Sequence, residues 1–329
     1  MNNSSCVEFE YVGPLAEQIS EFIRHKRMLG FKYATEARYL FVLSKLSLAY
    51  DLAMEKLPEA LVSDWMARKP NETEKTRDNR IVLLRQFALY LAERGYRVTI
   101  PKVVTGTKIR SSFTPYIYTH EEIAAIFKNS DRLKLRYYAT SNTQITFPVI
   151  IRMLYGCGLR ISEALNLRVK DVDLNRGILT LRETKGGQER LIPMSDSLHA
   201  ICKDYSNKMH QFSGQDEYFF AHKDGSPFNA STVYKRFRRV LWASGISHGG
   251  KHHGPRLHDV RHAFSVHSLK MQADKGIDLY CTLPVLSTYL GHKSVKATDG
   301  YVRLTEEMYP ELIKKMSAAS GHVIPRTSR

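Results

Sequence analysis

One stretch constrains the fold of this chain more than any other. Val104–Pro115 reads VTGTKIRSSFTP, rich in Gly, Ser, Thr and Pro and without apolar periodicity. It runs into Thr119-His120-Glu121-Glu122, a capping-box pattern that opens a helix. A 329-residue chain broken in this way is expected to form two domains, each large enough for its own core. The implied division is a helical domain over 1–107, a linker over 108–118 and a second domain over 119–329. No internal repeat or low-complexity tract competes with it.

The first part reads as helical throughout. Amphipathic runs cover about Pro14 to Leu29, with Gly30 as a C-cap, then Ala34 to Leu52, Pro58 to Ala67, and a stretch after Asn71 that ends at Gly95. In the last, Ile81, Leu84, Ala88 and Leu91 recur at helical spacing, while Lys75, Arg77, Arg80 and Arg85 fall mostly off that stripe. These basics form either a solvated face or a phosphate-contacting one.

The second part adds a hairpin signal: a strand over 177–183, a turn at Lys185-Gly186-Gly187, and a return over Arg190–Ile192 before Pro193. Helices are expected over Ala230–Trp242 and Leu257–Met271, and from Pro284, a favoured first-turn residue, to Gly291. The tail over Glu306–Ala318 reads as a short helix with an apolar face. The fold class expected is mainly α with a small β-hairpin or sheet, the second domain being α+β.

Charge narrows the partner. With 49 Lys+Arg against 33 Asp+Glu the formal balance is +16, which favours a polyanion, either nucleic acid or an anionic membrane. The membrane is disfavoured, since no stretch approaches the ~20 apolar residues of a spanning helix. The N-terminus has no secretory pattern. Cys6, Cys157, Cys202 and Cys281 are widely spaced, as reduced thiols of a cytoplasmic protein would be.

Three segments carry candidate chemistry. In the first, Gly156-Cys-Gly-Leu-Arg160-Ile-Ser-Glu163, Arg160 and Glu163 are expected to share a helix face. Alone, such a pair is a surface salt bridge. The second is His258-Asp-Val-Arg261-His262. His252, His253, His258, His262 and His267 crowd this region, and His258 with His262 has metal-ligand spacing. No third ligand motif accompanies them, so no metal is expected. The third is Leu290-Gly291-His292 followed by Tyr301. Gly245 to His252 nearly spells a P-loop, but His stands where a Ser or Thr must meet magnesium, and the run follows a helix.

Taken in order, these pieces resemble the tyrosine recombinase, or phage integrase, family. Its signature places an Arg in a G-x-R-[IV]-x-E segment, a Lys in a following hairpin, H-x-x-R, then L-G-H and a Tyr nine residues after that His. Here these are Arg160 with Glu163, Lys185, His258 with Arg261, Leu290-Gly291-His292, and Tyr301. The segment between Arg261 and His292 is longer than in simple members, and no additional N-terminal arm-binding domain is evident, as in compact two-domain members.

The resemblance implies a helical N-terminal core-binding domain and a C-terminal catalytic domain that clamp double-stranded DNA. Tyr301 would attack a phosphodiester to give a 3′-phosphotyrosyl link and a free 5′ hydroxyl. The guanidinium forks of Arg160 and Arg261 would hold the phosphate. Lys185 would protonate the leaving oxygen and His258 would take part in proton transfer. His292 would bind the phosphate or support Tyr301, and Glu163 would buttress the cations. Neither ATP nor metal nor another cofactor is called for. A homotetramer on two DNA sites and a cytoplasmic, nucleoid-associated place in a prokaryotic cell follow from the family. Further DNA contacts are expected from Lys75, Arg77, Arg80, Lys108 and Arg110. The alternatives are an inactive DNA-binding protein of the same fold and a type IB topoisomerase-like enzyme.

Overall fold

The structure is a computed structural model. It describes residues 9–102, 114–133, 142–182, 189–249 and 254–292, and beyond these 294, 298, 300–302, 304, 305 and 309. Lys108, Arg110, Lys185, His252, His253 and, apart from Tyr309, the tail over 306–318 lie outside the described residues. The chain divides into two compact units, Met1–Ser112 and Phe113–Arg329.

In the first unit, α1 (Ala16–Met28), α2 (Ala34–Leu46), α3 (Glu59–Met66) and α4 (Glu74–Ala92) enclose one core. Leu15, just ahead of α1, and Ile19, Phe22 and Ile23 on one face of it share a buried core with Leu40, Trp65, Leu84 and Phe87. Helix α2 stops well short of Leu52. The Ser44 and Ser47 hydroxyls donate to the Phe41 and Ser44 carbonyls (2.8 and 2.7 Å), and Ser47–Ala49 tighten into a 3-10 turn. Helix α4 is capped by Thr73, whose hydroxyl accepts the Thr76 N–H at 3.2 Å.

Arg80 corrects the expected basic face. It is 1% exposed. Its Nε and Nη2 donate to the Glu72 carboxylate at 2.9 and 2.8 Å, and Nη2 also donates to the Ala67 carbonyl at 3.0 Å. The guanidinium lies 5.1 Å from the Trp65 ring centroid. Helix α3 and the loop after it cover a second flank of α4, so a position off the main apolar stripe is still interior. A phosphate contact at Arg80 is therefore incorrect. Lys75 is exposed, and Arg77 is half-buried with its Nε on the Met66 carbonyl at 2.9 Å.

The second unit is built on α6 (Thr143–Gly156), which packs against α5 (His120–Asp131), α8 (Asp196–Met209) and α10 (Asp259–Asp274). Phe147, Ile150, Ile151, Met153 and Leu154 bury different sides of α6, as a central helix requires. The capping box at Thr119 is formed: its hydroxyl accepts the Glu122 N–H (3.2 Å) and Glu122 accepts the Thr119 N–H (2.9 Å).

After the short helix α7 (Ile161–Leu165) the hairpin strands, β2 (Ile178–Leu181) and β3 (Arg190–Pro193), gain a third, β1 (Val172–Asp173). The sheet is antiparallel in the order β1-β2-β3, with Leu179 opposite both Val172 and Ile192. Gly177, at φ 67°, and the Asp173 carboxylate, which accepts the Asn175 and Arg176 N–H groups, turn β1 into β2. Helices α9 (Ala230–Ala243), α10 and α11 (Leu279–Leu290) follow. Pro284 does not open α11. It sits inside the helix, because the buried Leu279 and Leu283 extend the apolar anchor one turn upstream. Thr298, Gly300–Val302, Leu304 and Thr305 are helical.

Candidate active site

The second unit brings its separate sequence segments together on one carboxylate and one guanidinium. Arg160 and Glu163 do not share a helix face as expected. Arg160 precedes α7 in extended conformation, and Glu163 folds back onto it. Glu163 Oε2 accepts the Arg160 backbone N–H at 2.9 Å and Oε1 accepts Arg160 Nη1 at 2.7 Å. Arg190, at the start of β3, donates Nη1 and Nη2 to the same carboxylate at 3.2 and 2.9 Å. Arg261 Nη1 stands 3.8 Å from Oε2. Burial pushes the Glu163 carboxyl up, but the bonds and charges of Arg190 and Arg160 outweigh it and hold the group below its ordinary range.

Arg261, in the first turn of α10, is 2% exposed. Its Nη1 donates to the Gly158 carbonyl at 2.6 Å, and its Nη2 donates to the Leu290 carbonyl at 2.7 Å and reaches His292 Nε2 at 3.2 Å. All three candidate segments thus meet on this side chain. Burial, with Arg160 nearby, draws Arg261 down to about 10, still cationic at neutral pH. The convergence leaves no room for side chains at the flanking glycines. A Cβ on Gly158 (φ 57°) would stand 2.4 Å from Phe264 Cδ1, and one on Gly291 (φ 65°) would stand 2.7 Å from Arg190 Nη1.

A guanidinium only donates, so His292 Nε2 is the acceptor. Its Nδ1 then carries the proton and donates to the buried Thr298 hydroxyl at 2.8 Å. Burial, with Arg261 and Arg160, pushes His292 down to about 4.

Tyr301 is 6% exposed. Its Oη lies 2.9 Å from His262 Nδ1, and its ring stacks on His292 with centroids 6.1 Å apart. Burial raises the phenol above its ordinary value, while Arg261, hydrogen bonding to Ser265, and Arg160 pull against it. His258, at the N-cap of α10, meets the His262 ring edge-on at 4.9 Å. Burial, His262 and Arg261 push His258 down to about 4.

The structure therefore gathers Arg160, Glu163, Arg261, His292 and Tyr301 in one network and places His258 at its margin. His262, Arg190 and Thr298 belong to that network and are absent from the residues picked from the sequence. His262, four residues after His258, carried a signal as half of a possible metal pair. Arg190, at the hairpin's return, carried only position. Among the described residues no group of His, Cys, Asp or Glu forms a metal-holding cluster, and no helix is long and apolar enough to cross a membrane.

The family model for the phage integrase family matches residues 116–308. The chain belongs to the phage integrase family. An integrase/recombinase-named protein of Sinorhizobium fredii is 29% identical over 304 residues, covering 91% of this chain and 96% of that one. Tyrosine recombinase XerA of Pyrococcus furiosus is 31% identical, covering 68% of this chain and 66% of its own. In fold the chain is similar to the Tn1549 transposon integrase in complex with transposon right-end DNA (TM-score 0.62, 17% identity, 89% of this chain and 98% of that chain). It is also similar to the XerH site-specific recombinase bound to palindromic difH substrate (TM-score 0.61, 18% identity, 87% and 78%).

Proposed function

We propose that this phage integrase family member is a site-specific DNA recombinase that cuts and rejoins duplex DNA through Tyr301, by a covalent 3′-phosphotyrosyl intermediate and without ATP or metal. The observation that carries this is the position of the Tyr301 hydroxyl: a buried phenol among Arg160, Arg261 and neutral histidines, where a lone packing tyrosine would have apolar neighbours. Three guanidinium groups share the single carboxylate of Glu163, which leaves a surplus of positive charge to receive a phosphate.

In this reading Arg160 and Arg261 bind the non-bridging oxygens and stabilise the charge of the pentavalent transition state. They supply the charge that a metal supplies in other phosphoryl-transfer sites. Lys185 protonates the 5′ leaving oxygen, His258 takes part in proton transfer, and His292 orients phosphate and tyrosine. The phosphotyrosyl bond retains the energy of the phosphodiester, so rejoining needs no nucleotide. The names of the similar proteins, recombinases and integrases with DNA-bound structures among them, support duplex DNA as the partner. Strand exchange between two sites requires a tetramer of protomers, working in the cytoplasm of a prokaryotic cell at the nucleoid.

The test uses a nicked duplex carrying the site that the protein selects from a random-sequence pool, with chelator present and no ATP. Wild type is expected to give a protein–DNA adduct that survives denaturing electrophoresis, and Tyr301→Phe none. DNA binding by both without any adduct would overturn the reading in favour of an inactive DNA-binding protein. An adduct formed without stable pairing of two duplexes would favour the topoisomerase-like alternative.

A further inference from the structure

Of the three guanidinium groups around Glu163, Arg190 alone has no task in the proposed cleavage. We infer that Arg190 is a positioning residue: by occupying both oxygens of Glu163 it holds Arg160 to a single side-chain bond with that carboxylate and leaves the rest of the Arg160 fork open to the scissile phosphate. The inference rests on Arg160 being a phosphate ligand in cleavage by Tyr301.

A carboxylate offers about four lone-pair sites. On Glu163 four N–H donors fill them. Arg190 Nη1 and Nη2 bond one oxygen each, at 3.2 and 2.9 Å, the two-pronged fit of a guanidinium to a carboxylate. Arg160 Nη1 takes the second place on Oε1, and the Arg160 backbone N–H the second place on Oε2. Arg261 Nη1, at 3.8 Å, stays beyond hydrogen-bond length. Arg160 Nε and Nη2 bond to no described residue, and the side chain is 22% exposed. The Arg190 side chain is 9% exposed, and its Nε donates to the Tyr289 carbonyl at 2.9 Å, one of the acceptors that the last turn of α11 leaves without a helical partner. All three of its nitrogens are committed inside the protein, so Arg190 acts on a phosphate only through its neighbours.

The fold fixes Arg190 in this place. It opens β3 in register with Leu181 of β2, so the sheet sets its backbone. Gly291 leaves room for the guanidinium, where a Cβ would stand 2.7 Å from Nη1. Without Arg190 each oxygen of Glu163 loses a donor. Glu163 is 8% exposed, and an unfilled buried acceptor is costly. Arg261 is pinned by the Gly158 and Leu290 carbonyls, so the donor free to close is the rest of the Arg160 fork. That closure satisfies Glu163 and withdraws Arg160 from the phosphate. Arg190 is also the strongest influence holding the Glu163 carboxyl below its ordinary range against burial.

The test measures adduct formation on the nicked duplex of the selected site in single turnover, giving the rate at saturating protein and the protein concentration at half that rate. Arg190→Gln is expected to lower the saturated rate about 10–100-fold, the loss typical of an outer partner of a charged site, with the half-saturating concentration unchanged. Many phosphates of the duplex contribute to binding, whereas the Arg160 fork counts most at the transition state. In an Arg160→Ala background there is no fork to hold open, so adding Arg190→Gln should cost little more. Arg190→Lys keeps the cation but offers a point charge in place of two prongs. It is expected to hold Tm near wild type and leave the rate as low as in Arg190→Gln, which keeps the test open if the Gln variant folds poorly. A full rate in Arg190→Lys, or a Gln penalty as large without Arg160 as with it, would overturn the inference while the Tyr301-dependent adduct stands. Absence of that adduct from wild type would instead overturn the reading beneath it.

Discussion

Each unit buries an arginine on a glutamate, and the two sites do different things. In the first unit Arg80 and Glu72 meet one to one, with the Ala67 carbonyl and the Trp65 ring against the guanidinium. In the second, Glu163 faces Arg160, Arg190 and Arg261, and Arg160 keeps 22% of its side chain exposed. The first arrangement closes on itself and joins α3 to α4. The second is left with positive charge and an outlet to solvent. Burial of an ion pair alone does not reveal function; the surplus of one sign does.

The largest effects should separate the two sites by what fails. Arg80→Ala strands the Glu72 carboxylate and is expected to cost about 3–5 kcal/mol of unfolding free energy, read by urea titration of the folded protein. The DNA affinity of its folded fraction should not change. Arg160→Gln should do the reverse, lowering the rate of adduct formation by about 10²–10³ with only a small shift in Tm. If Arg80→Ala lost DNA binding at unchanged stability, the comparison would be broken.

Acidification should act on the second site more than on the first. His258, His262 and His292 lie near 4 in the folded protein, below the ordinary value of about 6.5 that an unfolded chain keeps. The unfolded chain therefore binds more protons once pH falls below that value, and stability should drop from about pH 6.5 down to about 4. Glu163, also held low, contributes stability above the ordinary carboxylate range that is lost as pH falls through its folded value. Urea midpoints across this range should show a shallower decline for His262→Asn than for wild type. An unchanged slope would mean that His262 is not buried neutral.

The smallest effect sharpens the contrast within α4. Lys75→Ala, at an exposed position on the helix that buries Arg80, is expected to weaken DNA binding modestly and reduce the salt slope by about 1. No change in slope would place the DNA-facing charge elsewhere on the first unit.

The site was more legible in the sequence than the scaffold around it. Arg160, Glu163, Arg261, His292 and Tyr301 are marked by ordered spacing, and the same spacing hides their partners. Arg190 reaches Glu163 only after β3 has paired with β2, a long-range fact with no local pattern. His262 was read by its distance from His258, a helical relation, whereas its contact lies on another segment. Helix α6 is apolar on several sides and so offers no stripe to read, and Pro284 marked a helix start that buried leucines moved upstream. Arg80 shows the converse error, a charge assigned to solvent because only one face of α4 was counted.

The hydrogen bonds of Arg261 also set an order of events during synthesis. Its guanidinium is seated only when the Gly158 carbonyl, made long before it, and the Leu290 carbonyl, made after it, are both in place. Tyr301 leaves the ribosome later than either. A chain ending at Leu290 would carry both backbone carbonyls that seat the Arg261 guanidinium, but neither His292 nor the Tyr301 phenol that complete the network around it.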